Sequence, residues 1–200
     1  MHDDVTRKRC SWVGVDDSLM LQYHDREWGV PVHDDRKHFE FLVLEAAQAG
    51  LSWAIVLKKR EGYRRAFEGF DPQKVARFSA RRIEKLTLDS AIIRNRMKIE
   101  AAVRNARAFL KTQEEFGGFD SYCWGFVGGK PKLNRWKAMQ QIPAPSSESD
   151  AFSKDLKHRG FSFVGSTVVY AHMQAVGMVN DHLVDCFRYG EIQKDGKAGS

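Results

Sequence analysis

Apolar side chains that recur at helical spacing constrain this chain more than any other feature of its sequence. The segment from Asn95 to Leu110 shows the pattern most regularly, and similar stripes follow Asp34 and Trp53. Residues that end helices, such as Gly50, separate these segments. No segment shows the alternation expected of a long strand. The sequence therefore predicts an all-α fold.

Length and composition predict one globular domain. Two hundred residues, of which 42% are hydrophobic, are enough for a single packed core. We expect a disordered N-terminal tail (1–8), one all-α domain (9–189) and a flexible C-terminal tail (190–200). No apolar run is long enough to cross a bilayer, and the polar N-terminus lacks the apolar segment of a secretory signal. These features predict a cytoplasmic monomer without a membrane partner.

Glu45 is an acidic residue on an otherwise apolar helical face. It follows Phe41 by one helical turn, and Gln48 lies about one turn further along. Burying a carboxylate is costly unless a partner binds it. The position therefore indicates either a core ion pair with an arginine or a ligand pocket, and this stretch alone does not separate the two.

Charge and a helical hairpin indicate a polyanionic partner. The formal net charge is +6 and the pI is near 9.3. Residues 86–99 join a short helix to the long one, within a predicted helix-hairpin-helix near 79–110. The turn carries Arg94, Arg96 and Lys98, and a helix N-terminus beside cations can bind a phosphate. A solvated, charged turn is the alternative.

Cysteine and histidine residues near both ends of the chain indicate a metal site. Cys10 and His24 lie near one end, while His182 and Cys186 lie near the other and share a helical face if that segment is a helix. Two thiolates and two imidazoles satisfy a structural Zn²⁺. Buried cysteines beside unrelated histidines remain the alternative at this stage. Three widely separated cysteines do not indicate disulfides.

Aromatic side chains are concentrated in the part of the chain that also supplies Glu45. They are Trp12, Tyr23, Trp28 and Trp53. Aromatic residues of a helical protein usually pack in its core. Flat faces beside one carboxylate would also suit an electron-poor base flipped out of a duplex.

Several blocks of the sequence, taken in order, resemble one known family. They are CxW at 10–12, YHDREWGVP at 23–31, QAGLSW at 48–53, IIRNRMKI at 92–99, GFSFVG at 160–165 and NDH at 180–182. From Arg9 to Cys186 the chain resembles the DNA-3-methyladenine glycosylase I family. The resemblance implies a helix-hairpin-helix glycosylase fold whose two chain ends are joined by one structural Zn²⁺ ion.

The resemblance also implies roles for individual residues. The zinc ligands would be Cys10, His24, His182 and Cys186. Glu45 would be the catalytic residue and would contact the flipped base, Tyr23 and Trp53 would stack on it, and Trp12 would close the pocket. The turn at Gly50-Leu51 would fill the gap in the duplex. The hairpin would hold the phosphates through Arg94, Asn95, Arg96 and Lys98.

The chain departs from the family pattern at a few positions. Ala46-Ala47 stand where members often carry a glycine and a second glutamine, which could alter pocket polarity. Ala91 and Met97 occupy hairpin positions where glycine is common, which could hinder a close approach to phosphate.

The expected function is hydrolysis of the N-glycosidic bond of 3-methyladenine in alkylated double-stranded DNA, without strand cleavage. Asp120 is a candidate for orienting the attacking water, and a helix cap is the alternative role for it. A non-catalytic, zinc-stabilised helix-hairpin-helix protein that binds DNA is the alternative function. It would leave Glu45, Tyr23 and Trp53 without a role.

Overall fold

The computed structural model describes the backbone of residues 7–14 and 16–198, with side chains described as far as residue 193. This part of the chain is mostly helical. Its α-helices are α1 (Ser18–Arg26), α2 (Asp35–Gln48), α3 (Trp53–Ala66), α4 (Pro72–Val75), α5 (Ala80–Leu88), α6 (Arg96–Phe116), α7 (Phe119–Gly125), α8 (Ser147–His158), α9 (Ser166–Ala175) and α10 (Phe187–Ala198). Two-residue strands β1 (Lys132–Leu133) and β2 (Val179–Asn180) pair in parallel. No described helix is both long and apolar enough to span a membrane.

Helix α2 forms the centre of the core. Ten of its fourteen residues are buried, and it packs against α3, α6, α7 and α9. Asp34 caps its N-terminus by accepting the N–H of Lys37 at 2.7 Å. A helix that is covered on most sides places its polar residues in the interior, so each of them needs a partner or a function.

Charged residues of α2 and α3, together with Glu27 after α1, form one ion-pair network around the buried Glu40. Arg60 donates to Glu40 at 2.8 Å and to both oxygens of Glu27 at 2.7 and 2.8 Å. Arg64 also contacts Glu40, at 3.1 Å. Arg60 is the first arginine that follows Glu45 in the chain, and its bonds to Glu27 and Glu40 leave it engaged elsewhere. Glu45 is not part of this network.

The predicted helix-hairpin-helix corresponds to α5, the turn at 89–95 and α6. The side chain of Asn95 caps α6 by accepting the N–H of Lys98 at 3.1 Å. On the other side, the hydroxyl of Tyr63 accepts the N–H of Ile93 at 3.3 Å. A Cβ at Gly62 would lie 2.1 Å from the carbonyl oxygen of Ala91, so only glycine lets α3 approach the turn this closely.

The two ends of the described chain lie side by side. The carbonyl of Lys8 accepts the N–H of Phe187 at 2.9 Å, and its ammonium pairs with Asp185 at 2.5 Å. The predicted flexible C-terminal tail begins inside α10, where Ile192 is buried and would contact any side chain added at Gly29. Of the predicted disordered N-terminal tail, residues 1–6 lie outside the described part of the chain.

Candidate functional site

A cavity of about 240 Å³ opens between α1, α2, α3 and α9. Its lining residues are Trp12, Met20, Tyr23, Trp28, Glu45, Gln48, Trp53, Met139, Ala171 and Gln174. A cavity of about 150 Å³ is enough to hold a benzene ring, so this space suits a larger fused-ring ligand. The four residues predicted to bind a base all line it.

Glu45 supplies a carboxyl group to this cavity from the buried face of α2. Its residue is 4% exposed, and burial raises its pKa to about 8. Within the described residues the carboxyl group has no hydrogen bond or ion pair, and the alternative of a core arginine partner is therefore not observed. An unpartnered, buried carboxyl group that lines a cavity favours binding of a cationic ligand.

Aromatic rings enclose the space beside Glu45. The ring centroids of Tyr23 and Trp53 lie 5.2 Å apart, and those of Trp12 and Trp28 lie 5.1 Å apart. The indole Nε1 atoms of Trp12 and Trp53 are buried and have no hydrogen-bond acceptor in the described structure. Buried donors without acceptors are uncommon in native proteins, so a ligand that offers acceptors would be stabilised here.

The turn between α2 and α3 borders a smaller cavity that Glu45 also lines. This space is lined by Glu45, Gln48, Gly50, Leu51 and residues of α9. Gly50 has a φ of +79°, which favours glycine, and Leu51 is 39% exposed although it is apolar. An exposed leucine beside a pocket can fill the place of an extruded base.

Lys98 links this turn to the hairpin. Its ammonium donates to the carbonyls of Ala47 and Ala49 at 2.8 and 2.6 Å, which lie at the C-terminal end of α2. The cation therefore satisfies carbonyls that the helix leaves without donors. The sequence predicted Lys98 as a phosphate contact and did not predict this bond within the protein.

The other cations of the hairpin differ in their availability. Arg96 forms ion pairs with Glu84 and, at 3.7 Å, with Glu100. Arg94 is exposed, and no described residue bonds to its side chain. Arg94 is therefore the more available partner for an incoming phosphate.

The four predicted zinc ligands meet in one buried cluster. The Sγ atom of Cys186 lies 3.5 Å from His24 Nε2 and 3.5 Å from His182 Nδ1, and Cys10 Sγ lies 3.6 Å from His182 Nδ1. All four ligand atoms lie within 4.8 Å of one another. Atoms bound to one tetrahedral zinc, with bonds of about 2.0–2.3 Å, lie about 3.6 Å apart. The cluster could therefore bind a metal.

Outer hydrogen bonds orient both imidazoles toward this cluster. His24 Nδ1 contacts the carboxylate of Asp25 at 2.7 Å, and His182 Nε2 contacts the carbonyl of Trp28 at 2.9 Å. Both acceptors require an N–H from the outer nitrogen, so the inner nitrogen presents a lone pair. A hydrogen bond from the Cys10 thiol lowers the pKa of Cys186 below its usual value.

The sequence did not predict some residues that support the cavity. Gln174 lines it and donates to Asp181 at 2.8 Å. Asp181 is 1% exposed and also accepts hydrogen bonds from Tyr170 and Trp136 at 2.6 and 2.7 Å. The NDH block contained Asp181, but nothing local to it indicated these distant donors.

Asp120 does not line the cavity. Its carboxylate lies 3.2 Å from ring nitrogens of His33 and His38. Although burial raises its pKa, these hydrogen bonds lower it more, so the pKa of Asp120 falls below its usual value. Asp120 does not cap α7 either, since Asp35 accepts the first N–H groups of that helix. The geometry therefore gives no support for a role in orienting water.

Comparison with known proteins identifies the family. Residues 12–189 match the methyladenine glycosylase family. DNA-3-methyladenine glycosylase 1 of Escherichia coli (strain K12) is 50% identical over 182 residues, covering 91% of this chain and 97% of that protein. The chain belongs to the methyladenine glycosylase family. The family predicted from the sequence motifs is thereby confirmed.

Solved structures of methyladenine glycosylases share the fold. A crystal structure of 3-methyladenine DNA glycosylase I superposes with a TM-score of 0.88 at 48% identity, covering 90% of this chain and 98% of that chain. The enzyme from Staphylococcus aureus, studied for the structural basis of 3-methyladenine recognition, superposes with a TM-score of 0.86 at 38% identity, covering 90% and 95%.

Proposed function

We propose that this methyladenine glycosylase hydrolyses the N-glycosidic bond of 3-methyladenine in alkylated DNA. It releases the free base and leaves an abasic site, as part of DNA repair. The observation that carries the proposal is the buried, unpartnered carboxyl group of Glu45 in an aromatic cavity. Relatives at about half identity named for this activity support it.

The charge of the methylated base explains its selection by Glu45. Methylation at N3 makes the purine a cation and weakens its bond to the sugar. With a pKa of about 8, Glu45 is mostly protonated in the empty cavity at neutral pH. Ionising it at pH 7 costs about 1.4 kcal/mol. A cation at about 4 Å attracts the resulting carboxylate by about 4 kcal/mol at an effective dielectric constant of about 20, which exceeds this cost. Neutral adenine carries no charge and lacks this attraction.

Bond cleavage requires little further assistance in this scheme. The cationic base is already a good leaving group, and the ionised Glu45 stabilises the positive charge that develops on the sugar. Water then attacks C1′ of the sugar. Lysine is absent from the described residues that line the cavity, which favours hydrolysis without a Schiff base and without strand cleavage.

We propose roles for the aromatic and hairpin residues that their positions support. Tyr23 and Trp53 stack on the flipped base, and Trp12 closes the cavity over it. Leu51 on its glycine turn fills the gap left in the duplex. Arg94 binds phosphate directly at the hairpin. Asn95 caps α6, and Lys98 fastens the hairpin to the turn after α2. Arg96 pairs with Glu84 and Glu100.

The cysteine and histidine cluster would hold one structural Zn²⁺. Cys10, His24, His182 and Cys186 provide four donor atoms within 4.8 Å of one another, with both imidazoles oriented by outer acceptors. When bound, the ion supplies a cross-link between the chain ends and no catalytic chemistry, because four protein ligands leave no position for water.

The test is the release of base from methylated DNA, identified by mass spectrometry. Wild type should release 3-methyladenine, and Glu45→Gln should be slower by about 100-fold, because a buried charge interaction of about 3 kcal/mol is lost. Glu114→Gln, on the exposed face of α6, is the matched control. Equal activity of Glu45→Gln and wild type would remove Glu45 from the chemistry. DNA binding without any base release would support the non-catalytic alternative.

A further inference from the structure

A second group of soft donors lies buried elsewhere in the core. It consists of His38 on α2, Cys123 on α7 and His172 on α9, each 0% exposed. His38 Nδ1 and His172 Nε2 lie 3.5 Å apart, and the Sγ atom of Cys123 lies 3.9 Å from the first and 4.0 Å from the second. Three possible ligand atoms from three helices therefore face one another.

The atoms around this group favour a metal ligand set. Asp120 accepts a hydrogen bond from His38 Nε2 at 3.2 Å, which leaves the lone pair of Nδ1 facing inward. The thioether sulfur of Met178 lies 3.3 Å from Cys123 Sγ and adds a fourth soft atom. Two imidazoles and a thiolate with a weak thioether are ligands that copper prefers.

Hydrogen bonds hold the three facing atoms only loosely. His38 Nδ1 and His172 Nε2 lie 3.5 Å apart, which is beyond the usual distance for a hydrogen bond between nitrogen atoms. The two sulfur–nitrogen separations of 3.9 and 4.0 Å are long for hydrogen bonds. Ligand atoms around one three-coordinate ion lie about 3.5 Å apart, so inward shifts of a few tenths of an ångström would complete a site.

We propose that His38, Cys123 and His172 form a binding site for a single cuprous ion, with Met178 as a weak fourth ligand. Binding breaks the S–H bond of Cys123, forms a sulfur–copper bond and releases the proton to solvent. The two soft sulfur atoms of Cys123 and Met178 favour Cu⁺ over Zn²⁺ at this site.

The position of the site connects it to the glycosylase cavity. Helix α2 carries both His38 and Glu45. Helix α9 carries His172 between Ala171 and Gln174, which line the cavity. An ion bound at this site would therefore fasten together two of the helices that form the cavity walls.

The test is copper stoichiometry of the folded protein under anaerobic conditions. Cu⁺ is supplied as its bicinchoninate complex, and bound copper and zinc are both counted by elemental analysis after gel filtration. Cys123→Ser keeps the volume of the side chain but replaces the soft sulfur, and His172→Phe removes a nitrogen donor. Each variant should bind one equivalent of copper fewer than wild type. Copper that binds at the cluster of Cys10, His24, His182 and Cys186 is the same in wild type and in both variants, so it cancels in the comparison.

His158→Gln provides the matched control, because His158 is exposed and lies outside both clusters. It should bind as much copper as wild type. Circular dichroism selects the variants that remain folded, and either variant alone is sufficient for the comparison. Equal copper content in wild type and a folded variant would overturn the proposal. A second equivalent of Zn²⁺ without any copper would overturn the assignment to Cu⁺.

Discussion

Glu45→Gln should stabilise the protein at alkaline pH, although it slows base release. Burial raises the pKa of Glu45 from 4.5 to about 8, so the native state binds this proton more tightly than the unfolded chain does. The stabilisation that this group contributes is therefore fully present below pH 4.5, falls between pH 4.5 and pH 8, and is lost above pH 8. The isosteric amide carries no charge at any pH and lacks this dependence.

The magnitude follows from the size of the shift. Between these two pKa values, each pH unit changes the contribution of Glu45 to the free energy of unfolding by about 1.4 kcal/mol. The contributions at pH 5 and at pH 8 therefore differ by about 4 kcal/mol. The free energy of unfolding of Glu45→Gln, relative to wild type, should rise by that amount across this range. For a chain of this size it corresponds to a shift in Tm of about 10 °C.

The assay is urea unfolding of both proteins at several pH values from 5 to 8.5, followed by circular dichroism. All other titrating groups are shared, so their contributions cancel in the difference. Glu114→Gln changes an exposed carboxylate and is measured in the same series as the matched control. A difference between wild type and Glu45→Gln that is constant over the whole range would refute the reasoning, because it would mean that Glu45 has an ordinary pKa.

Three further predictions concern the DNA interface and the chain ends. Leu51→Ala should slow base release from duplex DNA by about 10-fold, with unchanged thermal stability, because this partly exposed side chain contributes little to the core. Arg94→Gln should reduce the slope of log K against log salt by about 1 in a fluorescence binding assay, because one phosphate contact is lost. Cys186→Ser should abolish stoichiometric zinc in elemental analysis and lower the Tm, because a buried cross-link between the chain ends is removed.

Each of these predictions has a defined contrary result. Full activity of Leu51→Ala on duplex DNA would exclude a wedge role for the side chain. An unchanged salt slope for Arg94→Gln would place the phosphate contacts elsewhere. Wild-type protein that contains no zinc after purification in its presence would exclude the chain-end site, and Cys186→Ser would then show only the effect of a buried substitution.

Local patterns predicted the parts of the fold that depend on neighbouring residues. Asn95 was expected at the start of the longest helix, and the structure places it as the cap of α6. Gly117 ends the same helix as its C-cap at a φ of +74°, as glycine often does just past the last helical residue. Glu45 was recognised because its own helix surrounds it with apolar side chains. In each case the signal and the structure lie within a few turns of one another.

Contacts between distant segments were not predictable from such patterns. The bonds from Lys98 to carbonyls near Gly50 join residues about fifty positions apart, and a lysine at a hairpin gives no sign of them. The close approach of Gly62 to Ala91 depends on the packing of two helices. Strands β1 and β2 contain two residues each, too few to show any alternation.

The bonds of Lys98 have a consequence for how the protein meets its substrate. They fix the spacing between Leu51 and the turn that we propose binds phosphate, so under the proposed function these two elements contact the duplex as one rigid unit. Because their spacing is fixed, the DNA duplex must bend to contact both of them. Rates of excision should therefore vary with the base steps on either side of the lesion, fastest where flexible pyrimidine–purine steps flank it and slowest within stiff A-tracts.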